Sequence, residues 1–429
     1  MLPLEMQTLS RLMAAGPSWL GDIRQRGFQL YEKLDMPSSQ EEVWRYVDLD
    51  FDLEGLALPA DPGPPLQEAS PVAEALPEVA GRATVVDGFT TDISHEAGDE
   101  VLFTSLRQAV SDHEGQLRGS LATGIPADLD IFSAAHHAFL GDGVFLYVPS
   151  GRTVEAPFFV DVQATTEGAL ILPHVTVVVE VNAEASLVIG YRSSQEQFLV
   201  TVPQVEASVR DDARFRLSTV QDWGYDTRAI AQERVVGARD TSLRIGEAGL
   251  GCRIGRLHLT VDLLGKGCSA EVVGLYFGEL EQLLDYRLFM NHVGTHTTSD
   301  VFLKGAVEDR SHSVFTGLIK IWKDAQKTDA FETNRNLVLS AGAGAESVPN
   351  LEILANDVRC GHGSTVGPID EEQRYYLMSR GLPRARADQL IVKGFFEEVL
   401  DRFPQAELAE PLREGVNDKF VTAQQEGRI

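Results

Sequence analysis

The chain has 429 residues and a mass of 47.0 kDa, about three times the size of a typical domain, so we expect two or three structural units. Its 37 Lys and Arg residues against 64 Asp and Glu residues give a formal net charge of −27. This charge argues against nucleic acid or an anionic membrane surface as a main partner, because both require a cationic face, and the hydrophobic share of 43% excludes a disordered acidic chain.

Residues 1–140 are predicted to form a mixed, mostly helical region. Helix-like apolar patterns occur in three stretches: 19–34, 106–113 and 131–140. Six prolines lie near residues 55–80, and they forbid a continuous helix or a central strand. A linker or an extended surface loop is therefore predicted there, followed by a strand-like run over 83–89 that contains a turn.

Residues 141–366 consist of short alternating apolar runs separated by Gly or by Asn and Asp, without a helix of three turns. A series of strands without crossover helices excludes a doubly wound α/β fold. A sandwich or barrel and a parallel β-helix both fit this mainly β pattern. About fourteen strands over ~220 residues are too many for one sandwich, so the β-helix is favoured, although no short repeat is recognised.

Residues 367–429 are predicted to form a C-terminal helical domain. Asp370 and Gln373 have the spacing of a capping box that opens a helix over 371–380, and Gly381 is placed to end it. A second helix is predicted after Pro383. Its apolar residues recur at helical spacing: Leu390, Ile391, Phe395, Val399 and Phe403.

Motifs of several enzyme classes are missing from the sequence. The glycines at 249–255 lack dinucleotide-binding spacing, and 265–267 lacks the rest of a phosphate-binding loop, so we do not expect nucleotide hydrolysis by this chain alone. There is no G-x-S-x-G elbow of a serine hydrolase. The histidine pairs His136/His137 and His292/His296 are interpreted as structural or surface residues, and His174 and His312 have no partner that the sequence identifies.

Cys360 and His362 form the one pair with the spacing of a binding site. Residues i and i+2 of an extended segment point to the same face, so a thiolate and an imidazole could approach one metal. Two ligands do not complete a metal site. If the pair is functional, the missing ligands must come from elsewhere, plausibly from another chain.

The expected location is cytoplasmic. The three cysteines, Cys252, Cys268 and Cys360, cannot form a disulfide framework in so long a chain, which favours a reducing compartment. No apolar run approaches the ~18 residues of a membrane span, and the first residues lack the pattern of a signal peptide.

Six short motifs lie in the last quarter of the chain. They are 326–330 (QKTDA), 333–336 (TNRN), 351–353 (LEI), 357–367 (DVRCGHGSTVG), 370–372 (DEE) and 376–381 (YLMSRG). These motifs resemble those of the SufB/SufD family of Suf-type iron–sulfur cluster assembly, most closely the SufD type. The specific part is the Cys-x-His-Gly-x-Thr-Val-Gly run, and weaker similarity covers nearly the whole chain except the proline-rich segment.

This resemblance implies a right-handed parallel β-helix core between helical regions, and a scaffold subunit without enzymatic activity of its own. It implies a heterodimer with SufB through the β-helix and one copy of the ABC-type ATPase SufC on the C-terminal helices. It also implies a transient iron–sulfur cluster shared with the partner, with His362 as a ligand and Cys360 as a less certain one. Gly361 departs from the serine that is common in the motif. Reduced flavin in the complex stays an open question.

The candidate ATPase-docking residues are Phe395, Phe396, Glu397 and Glu398. The two phenylalanines cannot both face the same side of one helix, so one is expected in the core and the other at a partner. Two other functions were considered. One is a SufB-like homodimeric scaffold; the other is a carbohydrate-active β-helix enzyme, which would need clustered carboxylates in a groove and usually a secretion signal.

Overall fold

Two long β-sheets wind into a solenoid, flanked by helices from both ends of the chain, in the computed structural model, which describes residues 1–427. The strands are β1 (Leu2–Pro3), β2 (Ala57–Leu58), β3 (Gly81–Val86), β4 (Phe89–His95), β5 (Leu102–Ser105), β6 (Val144–Val148), β7 (Phe158–Ala164), β8 (Leu170–Ile171), β9 (His174–Val179), β10 (Glu184–Ser193), β11 (Leu199–Thr201), β12 (Gln204–Val209), β13 (Arg214–Asp222), β14 (Thr227–Gly237), β15 (Ser242–Gly249), β16 (Ile254–Leu263), β17 (Ser269–Gly278), β18 (Leu283–His292), β19 (Thr298–Val307), β20 (His312–Ile321), β21 (Asp329–Val338), β22 (Gly344–Ile353) and β23 (Arg359–Gly367).

The helices pack at both ends of this series of strands. They are α1 (Met6–Ala14), α2 (Ser18–Tyr31), α3 (Pro71–Ala75), α4 (Leu106–Asp112), α5 (Glu114–Leu117), α6 (Ile131–Phe139), α7 (Glu371–Ser379), α8 (Arg384–Leu400) and α9 (Ala409–Gln425). Two short 3-10 helices lie at Glu42–Trp44 and Ala406–Leu408.

Each coil of the solenoid gives one strand to each sheet. Sheet 1 has the order β23-β21-β19-β17-β15-β13-β10-β7-β3-β4, and sheet 2 has the order β22-β20-β18-β16-β14-β12-β9-β6-β5, with β8 and β11 beside this path. Pairing along the solenoid is parallel, and only β4 and β5, at its first end, pair antiparallel within these sheets. The parallel β-helix favoured by the strand pattern is confirmed, and a single sandwich is excluded.

The sequence of β17 shows why the strands are apolar on both faces. Ala270, Val272 and Tyr276 point into the solenoid, where they join one continuous core. Val273 and Phe277 point outward and are buried under the C-terminal helices. A strand covered on both faces reads as a nearly continuous apolar run, as parallel strands commonly do.

Asn and Asp residues at several corners of the solenoid explain polar clusters between the runs. The corner residues adopt left-handed backbone conformations with φ between 52° and 61°, which Asn and Asp tolerate better than most residues. They are Asn182, Asp212, Asp240 and Asp309.

The sheets begin earlier in the chain than the strand pattern suggested. β3 pairs in parallel with β7, so the first strands lie within the region predicted to be mostly helical. The predicted helices are present as α2, α4 and α6. The proline-rich segment forms β2, which pairs with β1, and the short helix α3, whose Val72 is buried against Phe159 and Val188 of the solenoid.

The C-terminal helices cover the outer face of sheet 1. Phe396 and Val399 of α8 and Phe420 of α9 share a buried cluster with Phe277 and Phe302 of the solenoid. The helices predicted after Asp370 and Pro383 are confirmed: Asp370 caps α7 by accepting from the amides of Glu372 and Gln373. The helix α9 was not predicted.

Candidate functional site

The second end of the solenoid is formed by β22 and β23, the terminal strands of the two sheets. Several large apolar side chains are exposed at or near this end, which is unusual for a surface that faces only water. They are Trp322, Phe331, Ile353, Leu354 and Val366. We call this surface, together with the outer edges of β22 and β23, the open end.

Alternation of backbone groups shows which residues face the free edges. The amide of Arg359 donates to Thr328 O at 2.8 Å, so in β23 the next residue, Cys360, and then His362 direct their backbone groups to the outer edge. The amide of Leu354 donates to Ile321 O at 2.8 Å, so Ile353 in β22 does the same. Pro349 lies four residues before Ile353, so its backbone also faces the free edge. Proline is tolerated there because no hydrogen-bond donor to the neighbouring strand is lost.

Cys360 and His362 lie on the same side of sheet 1, as their spacing predicts. They pair in register with Ala330 and Glu332 of β21, and Cys360 packs against the core of the solenoid. Gly361, between them, points to the other side, where an added Cβ would lie 2.8 Å from the ring of Phe331. The imidazole of His362 is exposed and the thiol of Cys360 is half-buried.

Sequence reasoning missed Glu332, the neighbour of His362 in β21. Its side chain is 1% exposed, and within residues 1–427 neither carboxylate oxygen has a hydrogen-bond partner. Burial raises the pKa of this carboxyl to about 8. The pKa of the Cys360 thiol is also raised. Burial is the larger cause, and the nearby Glu332 is the next. The coil length of 30 residues from Glu332 to His362 is the signal that could have found it.

The described part of the chain contains no group of three His, Cys, Asp or Glu side chains close enough to hold a metal ion. The other two cysteines, Cys252 and Cys268, are buried inside the solenoid, and burial raises the pKa of their thiols to about 12 and about 11. A thiolate and an imidazole at an open strand edge can therefore bind a metal group only with further ligands.

Comparison with known proteins places this arrangement in a family. The family described as SUF system FeS cluster assembly, SufBD core domain, matches residues 162–395. An iron–sulfur cluster assembly SufBD family protein of Mycobacterium bovis is 30% identical over 397 residues, which cover 91% of this chain and 90% of that protein. The chain belongs to the SufBD family.

Two further relatives cover most of the chain, and the name of the first agrees with a SufD-like member of the SufBD family. The iron–sulfur cluster assembly protein SufD of Bacillus subtilis is 26% identical over 403 residues, covering 90% of this chain and 91% of the relative. The chloroplastic protein ABCI7 of Arabidopsis thaliana is 25% identical over 431 residues, covering 96% and 89%. The matched family concerns iron–sulfur cluster assembly and not carbohydrate chemistry.

The C-terminal helices of this SufBD family chain use some of the predicted docking residues internally. Phe396 is 1% exposed and packs in the core, whereas Phe395 is half-buried against it, with ring centroids 5.1 Å apart. Glu397 pairs with Arg413 at 2.8 Å, and Glu398 pairs with Lys304 at 2.7 Å. The two phenylalanines therefore face different sides of α8, as predicted, and Phe396 is not available to a partner.

A groove between α7, α8 and the solenoid was not predicted. It has a volume of about 780 Å³ and is lined by Leu337, Tyr376, Leu377, Leu390, Ile391 and Phe395 among others. Tyr375, Tyr376 and Met378 of α7 are exposed beside it. We call the groove and these three residues the helical surface.

Two further histidines, His292 and His174, are buried and make polar contacts. His292 is buried and contacts the hydroxyls of Thr297 and Ser299, and burial lowers its pKa to about 4. His174, for which the sequence identified no partner, lies 3.1 Å from His136 and 3.4 Å from Glu206.

Within residues 1–427, none of the helices combines the length and apolarity needed to cross a bilayer.

Proposed function

We propose that this chain is a non-catalytic scaffold subunit of the SufD type, which pairs with a SufB-type scaffold and carries a SufC-type ATPase in the cytoplasm. The observation that supports it best is the open end, where the free edges of β22 and β23 lie beside Cys360 and His362. The chain's membership of the SufBD family supports iron–sulfur cluster assembly as the process, and the matched residues 162–395 include this end.

The open end has the properties of a surface that pairs with another chain. Terminal strands carry backbone donors and acceptors that can extend a sheet, and natural proteins usually protect such edges. Here the edge groups of Ile353, Cys360 and His362 point outward, and apolar side chains surround them. Pairing with a second β-helix would satisfy these groups and bury the apolar side chains at the same time.

The nascent cluster is proposed to form at this junction, with His362 as a ligand and Cys360 as a second, less central one. Cluster irons are usually held by thiolates, and imidazole can replace thiolate with a bond that depends on protonation. This chain supplies two side chains at the edge, so the partner must supply the others. A ligand that is released readily suits a scaffold that transfers its cluster.

The ATPase is proposed to bind the helical surface. Exposed Tyr375, Tyr376 and Met378 supply the aromatic and flexible apolar contacts that are common at interfaces. Lys304 and Arg402 connect α8 and the residues after it with the solenoid, through contacts to Glu398, Glu271 and Asp300. Movement of a bound ATPase would therefore be transmitted to the sheets.

Sedimentation of the full-length chain, alone and with the SufB-type and SufC-type proteins of the same genome, tests this function. We expect a complex that contains all three proteins, with one copy of this chain. A chain that forms only a homodimer and ignores the SufB-type protein would favour the SufB-like homodimeric scaffold instead. Binding of neither protein would refute the proposed function.

A further inference from the structure

A cavity of about 360 Å³ lies near the first end of the solenoid, between α1, α2, α4 and the residues that follow α6. Most of its walls are apolar, and they belong in part to a buried cluster that also contains Trp19 and Phe145. Six of the lining side chains are Leu or Val: Leu12, Leu20, Leu106, Val110, Leu121 and Leu140. Cavities of about 300–1,000 Å³ with mostly apolar walls and a few polar groups are typical of small-molecule sites.

Among the described residues, three charged side chains line this cavity: Arg24, Arg107 and Asp142. Arg24 on α2 is 5% exposed, and its guanidinium donates to Leu140 O at 2.7 and 3.0 Å and to Leu12 O at 2.6 Å. These contacts use three of the five N–H donors of a guanidinium. The main chain thus fixes the position of Arg24 and leaves two of its N–H donors for another acceptor.

Within residues 1–427, Arg24 has no carboxylate partner. The charged side chain that acts on it is Arg107, a second cation; burial, and then the charge of Arg107, lower the pKa of Arg24 to about 10. The three other buried arginines in this part of the chain each lie beside a carboxylate. The pairs are Arg256 and Arg287 with Asp285, and Arg374 with Asp388. In a chain with 64 acidic residues, a buried guanidinium beside a cation is an exception that points to an external anion.

Arg107 supplies a second guanidinium at the same cavity. Its side chain is 58% exposed, and the carboxylate of Asp142 lies 3.8 Å away, at the long end of an ion pair. That carboxylate also accepts from the main-chain amides of Thr90 and Arg107, each at 3.2 Å. Two cations and one anion leave a single net positive charge at the cavity, which one carboxylate would balance.

We propose that this cavity binds a small organic acid that combines one carboxylate with an apolar chain. The carboxylate accepts from the two remaining N–H groups of Arg24, because a planar guanidinium matches carboxylate oxygens, and Arg107 adds an attractive charge. The apolar chain packs against Leu20, Val110 and Leu121. This inference goes beyond the scaffold function, and it does not depend on the cluster site at the open end.

Calorimetric titration of the full-length chain with hexanoate tests this inference. Hexanoate carries one carboxylate and a short apolar chain. Hexan-1-ol lacks the anion, and we expect it to bind at least about 10-fold more weakly, since a charged hydrogen bond contributes that much or more. Acetate lacks the apolar chain and should also bind at least about 10-fold more weakly, because each buried CH₂ group adds to the affinity.

Four variants locate the bound hexanoate. Arg24→Lys keeps the charge but loses the planar guanidinium, and should weaken binding about 10-fold. Arg107→Gln removes an exposed cation and should weaken it about 2- to 5-fold. Ala15→Trp fills the cavity from an exposed position of its wall and should abolish binding. Arg11→Gln, which removes an exposed arginine of α1 that does not line the cavity, is the matched control and should bind as the wild type does.

The inference is overturned by a wild-type chain whose Kd for hexanoate is above about 10 mM, or by equal affinities for hexanoate and hexan-1-ol. Unchanged affinity of Arg24→Lys would remove the carboxylate from Arg24, and unchanged affinity of Ala15→Trp would place the ligand outside this cavity. Thermal melting checks that each variant is folded. If Arg24→Lys does not fold, Ala15→Trp decides alone, since position 15 is exposed.

Discussion

Lys304 on β19 donates a hydrogen bond of 2.7 Å to the main-chain oxygen of Phe395 on α8. The same ammonium group pairs with Glu398 at 2.7 Å and lies 4.7 Å from the centre of the Phe395 ring. A single buried cation therefore joins the solenoid to the helix that is proposed to carry the ATPase. Burial lowers the pKa of this lysine, whereas Glu398 acts in the opposite direction.

Lys304→Met should loosen α8 from the solenoid. The variant keeps most of the apolar side chain but loses three interactions with α8, and we expect it to lower the free energy of unfolding by about 1–3 kcal/mol. Urea denaturation measures this loss. Lys266→Met, at an exposed turn of the solenoid, is the control and should change stability little. Equal stability of the Lys304 variant and wild type would show that packing alone holds the helix.

Alanine variants of Phe395 and Phe396 should distinguish a residue that contacts the ATPase from a residue that stabilises the fold. Phe396→Ala is expected to cost about 3–5 kcal/mol, because it creates a cavity in the buried cluster between α8 and sheet 1. Phe395→Ala should cost less stability, but it should weaken binding of the SufC-type ATPase, as should Tyr376→Ala. Calorimetry with the purified ATPase measures the binding. Unchanged affinity in both of these variants would place the ATPase elsewhere.

Point variants test the helical surface better than removal of residues 370–429. That deletion would uncover apolar side chains on the outer face of sheet 1, including Phe277 and Phe302, which α8 and α9 cover. Loss of ATPase binding after such a deletion would then be difficult to distinguish from aggregation.

The strength of pairing at the open end should depend on the amide of Ile353. This amide faces the free edge of β22, so Ile353→Pro would remove a donor to the partner and leave the bonds to β20 in place. We expect weaker association with the SufB-type protein, measured by analytical ultracentrifugation, and a folded chain. Ile353→Ala keeps the amide and controls for loss of the side chain. An intact heterodimer of the proline variant would contradict the placement of the partner at β22.

Glu233 and Glu247 should make the protein less stable as the pH rises. Both are fully buried; burial raises the pKa of Glu233 to about 7 and that of Glu247 well above its usual value. In the unfolded chain these groups lose their protons near 4.5, so between about pH 4.5 and 7 the unfolded state binds fewer protons and stability falls with pH. Glu233→Gln should make this pH-dependent loss of unfolding free energy smaller, by an amount on the order of 2 kcal/mol.

Urea denaturation at several pH values between 5 and 8 measures the effect of Glu233→Gln. Glu346→Gln, which removes an exposed carboxylate from β22, is the control for the loss of one acidic side chain. A Glu233→Gln variant with the wild-type slope would contradict the raised pKa of Glu233 in the folded protein.

Strands whose inward and outward faces are apolar are visible in the sequence as apolar runs, whereas strands that carry buried polar residues, such as β12 and β14, are not. Gln204 on β12 and Gln232 on β14 interrupt the apolar runs, and in the structure their side chains bond to each other at 2.8 Å across the two strands. Gln204 donates this bond to Gln232, and Gln232 in turn donates to Asp130, so the two side chains are held inside the fold by polar contacts. The pairing of the two glutamines depends on the register between coils, which is not visible in either run alone.

The helix α9 was missed for a similar reason, because it depends on packing that its local sequence does not show. Its sequence contains Pro411, Gly415 and Asn417, all of which weaken local helix formation. The helix is stabilised instead by packing of its apolar side chains, such as Leu412, Val416 and Phe420, in the cluster on sheet 1.

The candidate site was predictable only where it lies within one strand. The common face of Cys360 and His362 follows from a spacing of two residues. The position of Glu332 beneath them depends on pairing across 30 residues, and the free edge beside them depends on where the solenoid ends.

The central claim is that His362 is a ligand of a nascent iron–sulfur cluster at the junction with a SufB-type partner. The direct test is the iron and acid-labile sulfide content of the complex, purified anaerobically after co-expression of His362→Ala with the SufB-type and SufC-type proteins. His312→Ala, in β20 and outside the open end, is the control. We expect His362→Ala to form the complex with normal stoichiometry and to accumulate little or no cluster. A variant complex that assembles cluster at the normal rate and occupancy would contradict the account.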